Sequence, residues 1–191
     1  NSYTNPLFPA SVTATANNVA NAQGFVRQLD ANGGTEMYPA LQFSLRTPPE
    51  AGYLRQIIFI TDGAVGNEEG LFQLIDQQLN GARLFTVGIG SAPNSWFMRK
   101  AAETGRGTFT TISALHEVGE KMDRLFRKLE NPQLTNIELQ WPGGTAVESY
   151  PSIVPDLYLG EPVAVRVKAP SGFRPGDTLR IAGDSVAGAW S

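Results

Sequence analysis

RQIIFITDGAVG, residues 55–66, runs four apolar side chains together, Ile57 to Ile60, and closes them with Thr61, Asp62 and Gly63. A short unbroken apolar run ended by turn residues predicts a strand buried on both faces, of the kind found in parallel sheets covered by helices. Ligands of such sheets bind outside the carboxyl ends of the strands. Asp62 falls at that position, and Gly63 lets the chain turn away behind it.

Working outward, the flanks alternate helix and strand. Val19, Ala22, Val26 and Leu29 share one face of a helix beginning near Ala14 and ended by Asn32-Gly33-Gly34. Thr35 is an expected N-cap for a second helix with Met37, Leu41, Ser44 and Leu45 inward, closed by Pro48-Pro49. After GAVGNEEG, a helix capped by Asn67 sets Leu71, Leu74, Ile75 and Leu79 on one side, with Glu68 and Glu69 at its positive end. RLFTVG, residues 83–88, predicts a second buried strand. Asn94 caps a helix through Trp96, Phe97, Met98, Ala101 and Ala102, whose aromatics are expected in packing. TFTTI, residues 108–112, predicts a third strand, and Ser113 caps a long helix with Leu115, Val118, Met122, Leu125, Phe126 and Leu129 inward.

At Asn131-Pro132 the helical period stops. Residues 134–141, 147–154, 161–168 and 177–182 carry strand-forming patterns between Pro and Gly turns. The expected organisation is an α/β part over residues 1–130 and a β-rich module over 131–191. The fold class is an open, doubly wound, mostly parallel sheet followed by a small all-β module. Three parallel strands leave an exposed edge and too little surface for their helices, so a first strand is expected ahead of Asn1. Dimerisation or strand exchange is the expected way for such a chain to cover its open sheet.

Composition narrows the function classes. Fifteen Lys and Arg against 18 Asp and Glu give a net charge of −3, which offers no general attraction to nucleic acid or anionic membrane. With no cysteine, disulfides, thiolate metal sites and a Cys nucleophile are excluded. No apolar run reaches membrane-span length, and no signal-peptide pattern opens the chain. Gly88-Ile89-Gly90 lacks the third glycine of a dinucleotide loop, since Pro93 stands there, and neither a Walker A pattern nor a GxSxG elbow is present. His116, the only histidine, is expected on the surface of the last helix. No nucleophile–base constellation emerges, so no catalytic residue and no enzymatic activity is expected.

A hydroxyl at Thr35 and a carboxylate at Asp62 are hard oxygen donors of the kind Mg²⁺ prefers, though two are too few to define a site. On the pattern alone, a plain turn or cap role for Asp62 is favoured over a metal role.

GGTEMYPAL, then RQIIFITDGAVGNE, then RLFTVGIGSAPNSWFMRKAAETGRGTF together resemble a von Willebrand factor type A domain. The flavour is that of the inter-alpha-trypsin-inhibitor heavy chains and their bacterial relatives. The later segments NPQLTNIELQW and YPSIVPDLYLGEPVAV resemble the β segment that follows the domain in that group. The resemblance implies a metal-ion-dependent adhesion site built from a DxSxS loop, a threonine and an aspartate, with Thr35 and Asp62 as the last two. No DxSxS occurs in these 191 residues; by the resemblance it belongs to the expected upstream strand. The ion implied is Mg²⁺, or Mn²⁺ or Ca²⁺, held weakly or not at all by this chain alone. The partner implied is a protein that donates an acidic side chain to the metal. Glu36, Met37, Tyr38, Val65 and Asn67 are the implied rim, with a solvated surface as the alternative role for these five. An extracytoplasmic location is expected. The alternative to adhesion is a metal-free interaction scaffold in which the β module recognises the partner.

Overall fold

The computed structural model describes residues 3–30, 33–34, 36–47, 50–62, 66–90, 94–144, 147–168, 174 and 176–191. Three parallel strands, β1 (Gln56–Thr61), β2 (Arg83–Ile89) and β3 (Arg106–Ile112), form a sheet in the order β1-β2-β3. Register runs Gln56 opposite Arg83 to Thr61 opposite Gly88, and β3 continues to Ile112 opposite Ile89.

Alternation on these strands sorts the core into two layers. Ile57, Phe59 and Leu84 face the helices α2 (Met37–Arg46), α3 (Glu68–Gln78) and α4 (Ser95–Thr104), meeting Leu41, Leu71, Leu74, Ile75, Phe97 and Met98. Ile58, Phe85, Val87 and Ile112 face α5 (Val118–Leu129), meeting Leu125 and Leu129. Within β2 every residue from Arg83 to Gly88 is buried, and the Thr86 hydroxyl is satisfied by donating to the Met98 carbonyl at 2.8 Å. Gly107 is required by this closeness: a Cβ there would lie 2.1 Å from the Leu84 carbonyl oxygen.

β1 departs from the expectation of burial on both faces. Ile57, Ile58 and Phe59 are half-buried, and Ile60 keeps 50% of its surface exposed. The cause is position. β1 is an edge strand, and Ile60 lies on the α5 side, where α5 covers β2 and β3.

The first helix, α1 (Ala16–Arg27), forms with Thr15 as its cap, but none of its residues is buried. It stops at Arg27, before the expected glycine terminator, although Gly33 does adopt a positive φ of 97°. Glu36, not Thr35, occupies the cap position of α2, without a side-chain hydrogen bond. Thr35 and Pro48-Pro49 lie outside the described residues. The helix expected from Ser113 is divided into a 3-10 turn, Leu115–Glu117, and α5. Leu115 and Phe126, expected inward, are exposed.

Beyond Asn131 the chain is antiparallel. β4 (Pro132–Gln140), β6 (Leu157–Tyr158), β8 (Arg180–Ser185) and β9 (Gly188–Trp190) pair in the order β6-β4-β8-β9, while β5 (Ser149–Tyr150) pairs with β7 (Arg166–Val167). These strands are shorter than their patterns suggested at 147–154 and 161–168, and Trp190 belongs to a strand.

Several contacts among the described residues fix this part to the α/β part, among them Lys128 with Glu161, Arg106 with the Val154 carbonyl, and those of Tyr158 and Arg83. Tyr158 enters the α5-side core, edge-on to Phe85 at 5.9 Å. Arg83, at the start of β2, ion-pairs with Asp156, each only 3% exposed. Its guanidinium also donates to the Asn136 side chain at 2.9 Å and the Gly81 carbonyl at 2.7 Å. Removing either partner would leave an uncompensated buried charge and is expected to destabilise the fold.

Candidate functional site

The Arg83–Asp156 pair sits at the amino end of β2, so the antiparallel strands approach the sheet opposite to Asp62. The carboxyl end is where the helix starts gather. α2 runs back against β1: Arg55, just before the strand, donates to the Ser44 carbonyl at 2.7 Å near the end of α2, placing Glu36 and Met37 near the end of β1. α3 starts six residues after Asp62. The Asn67 side chain, at φ 53°, accepts from the Gly70 N–H at 3.3 Å and caps it. α4 is capped by Asn94, which accepts from the Phe97 N–H at 3.0 Å; its side-chain amide also donates to the Glu68 carboxylate, locking the two helix starts together. After β3, the Glu117 carboxylate accepts from the Ser113 N–H at 2.8 Å and from Lys121 at 3.0 Å. Lys121 first, and then that backbone N–H, hold the Glu117 carboxyl below the usual range.

Asp62 itself is exposed, directly after the buried Thr61. The expected rim is only partly presented. Glu36 is exposed and Tyr38 partly so, whereas Met37 is 6% exposed and packed into the core beneath α2, so it does not face a partner. Asn67 is exposed, with its side chain committed to the cap. Thr35 and Val65 lie outside the described residues. Among the described residues no group of three or more His, Cys, Asp or Glu side chains converges as a metal site. Asp62 is therefore one open carboxylate, not a complete ion cage.

One surface residue escaped the sequence reading. Trp96, expected in packing, is 63% exposed, while its neighbour Phe97 is buried. Trp96 meets Phe72 of α3 edge-on at 5.8 Å, and Phe72 leans on Phe97 at 5.0 Å. The signal available in sequence was helical phase: Phe97, Met98, Ala101 and Ala102 already fill the inward face of α4.

A family-wide profile for the von Willebrand factor type A domain matches residues 1–111. The chain belongs to the von Willebrand factor type A domain family. Its α/β fold agrees with that of a von Willebrand factor type A protein from Catenulispora acidiphila (TM-score 0.67, 19% identity, 96% of this chain and 52% of that one). It also agrees with that of the ArnB paralog VWA2 from Sulfolobus acidocaldarius (TM-score 0.53, 19% identity, 83% and 44%). By sequence the domain is similar to a von Willebrand factor A domain-containing protein of Dictyostelium discoideum, 28% identical over 173 residues, which cover 89% of this chain and 21% of that protein. It is also similar to human von Willebrand factor A domain-containing protein 5B1, 27% identical over 158 residues, covering 81% and 13%. The chain thus spans a minor part of the length of these relatives. Type A domains generally serve protein interaction and adhesion. In this one no described helix is long and apolar enough to cross a membrane.

Proposed function

We propose that this type A domain is part of a non-enzymatic, metal-dependent adhesion protein acting outside the cytoplasm, in the bacterial branch of the inter-alpha-trypsin-inhibitor heavy-chain-like group. The observation that carries the reading is the exposed Asp62 carboxylate at the carboxyl end of β1, six residues ahead of α3. In this reading Asp62 and Thr35 are two ligands of a Mg²⁺-type ion, which Mn²⁺ or Ca²⁺ can replace. The remaining ligands come from a DxSxS strand that pairs with the open edge of β1. Hard oxygen donors of this kind would hold such an ion, which would supply a positive charge able to bind a carboxylate from a protein partner. In this reading the exposed Glu36 and Tyr38 would form the rim of that site.

The test is a polypeptide in which an Asp-x-Ser-x-Ser-bearing apolar strand precedes Asn1. Mg²⁺ is expected to raise its melting temperature and to permit capture of an acidic peptide, and Asp62→Ala is expected to remove both gains. Identical behaviour with and without Asp62 would sink the proposal. It would also favour the second reading, a metal-free scaffold in which the β-rich part recognises the partner. Ile181, Val186 and Trp190, all exposed on β8, β9 and their turn, support that alternative.

A further inference from the structure

Trp96 presents an exposed aromatic face backed by a second ring, and its surroundings indicate what that face suits. Its support is rigid. Phe97 in the core, Phe72 on α3 and Trp96 at the surface touch in sequence, and the Asn94–Glu68 hydrogen bond pins the helix starts on either side. Glu68 precedes Phe72 by four residues and Glu69 by three, so helical spacing sets both carboxylates over the same side of α3 as the aromatic pair. The basic residues of α4 are turned elsewhere. Arg99 lies over the Phe109 ring at 5.6 Å, and Lys100 lines a hollow with Glu103 and the Tyr150–Ile153 loop. Among the described residues of the segments at this end of the sheet (33–34, 36–38, 61–62, 66–69, 89–90, 94–96 and 112–117), the charged residues are Glu36, Asp62, Glu68, Glu69 and Glu117, the last already paired with Lys121.

We propose that the Phe72–Trp96 patch is a docking point for an arginine side chain of a protein partner, with the guanidinium stacked on Trp96 and ion-paired with Glu68 and Glu69. An acidic side chain would be repelled by those carboxylates, and an aliphatic one would leave them unanswered. A planar, weakly hydrated cation satisfies both the ring face and the carboxylates, and arginine does so better than lysine. The proposal extends the adhesion reading, because it places a basic residue in the partner next to the acidic one directed at Asp62. It needs no metal.

The experiment titrates the 191-residue chain by calorimetry, in EDTA and at low salt, with acetyl-Gly-Arg-Gly-Arg-Gly-amide. Its citrulline counterpart and acetyl-Gly-Glu-Gly-Glu-Gly-amide serve as comparison probes. The arginine peptide is expected to bind and the other two to bind at least tenfold more weakly. Trp96→Leu, which keeps an apolar contact with Phe72, is expected to weaken binding by about threefold to thirtyfold, the range of a cation–ring contact. The double variant Glu68→Gln and Glu69→Gln is expected to weaken it and flatten its salt dependence. Equal binding of the citrulline peptide, stronger binding of the glutamate peptide, or unchanged affinity in Trp96→Leu with an unchanged melting temperature would overturn the proposal. Because EDTA removes divalent ions, this outcome does not depend on whether Asp62 holds one.

Discussion

Tyr158 carries a pH dependence that follows from where its short strand puts it. The ring is nearly fully buried, edge-on to Phe85, with the Lys128 ammonium 5.3 Å from its centre. Burial first, and the nearby Asp156 carboxylate second, push its hydroxyl up to about 12 from 10.0. The folded state therefore holds the proton more tightly than the unfolded chain. The resulting stability is fully present below pH 10 and is lost as pH rises towards 12. Urea unfolding between pH 8 and 12 checks this, with those values taken as roughly bracketing the titration. The wild-type midpoint is expected to fall more steeply above pH 10 than that of Tyr158→Phe. Parallel curves would show that Tyr158 ionises in the fold as it does in water. Sequence reading could not find this residue's role, because the strand holding it is two residues long and its partners Phe85 and Lys128 are distant in the chain.

At the scale of elements, helical and strand periodicity told type in the α/β part and told burial only where a neighbour existed. Leu71, Leu74 and Ile75 of α3 show the period and are buried, since β1 and β2 lie under them. Val19, Val26 and Leu29 around α1 show it equally well and stay exposed. The same limit applies to β1, read as doubly buried from four consecutive apolar residues but placed at the sheet edge. An apolar pattern states what a segment can bury, while the partner surface lies elsewhere in the chain or outside it. Asp62 was legible because it needed only strand end and turn chemistry; the rim was less so, since the inward phase of Met37 depends on where α2 begins. A paired measurement follows. Val26→Asp, at a side chain 62% exposed, is expected to shift stability by no more than about 0.5 kcal/mol. Leu74→Ala, in the core beneath α3, is expected to cost about 2–5 kcal/mol. Chemical denaturation of both variants checks the pair. A comparable loss in Val26→Asp would mean that α1 packs against something after all.

The whole molecule presents two faces with opposite needs. Its amino end is closed: Arg83, Asp156, Asn136 and Tyr158 tie the antiparallel strands to the parallel sheet. On one flank β1 offers an edge strand with Ile60 half exposed, and α1 carries an apolar stripe with no buried residue. An edge strand beside exposed isoleucine is a template for another strand. A second copy of this chain would supply one, and pairing of β1 with β1 about a twofold axis would give a closed dimer, since each copy would use the same patch. Light scattering across a range of protein concentrations is therefore expected to show the isolated 191-residue chain moving from monomer to dimer. Ile60→Lys removes apolar area at a half-exposed position and puts like charges across the twofold, so it is expected to restore the monomer without lowering the melting temperature. A wild-type chain that stays monomeric at every concentration would remove self-pairing as the way this edge is covered. A longer polypeptide whose preceding strand occupies β1 is expected to stay monomeric for the same physical reason, because the pairing groups are then already satisfied.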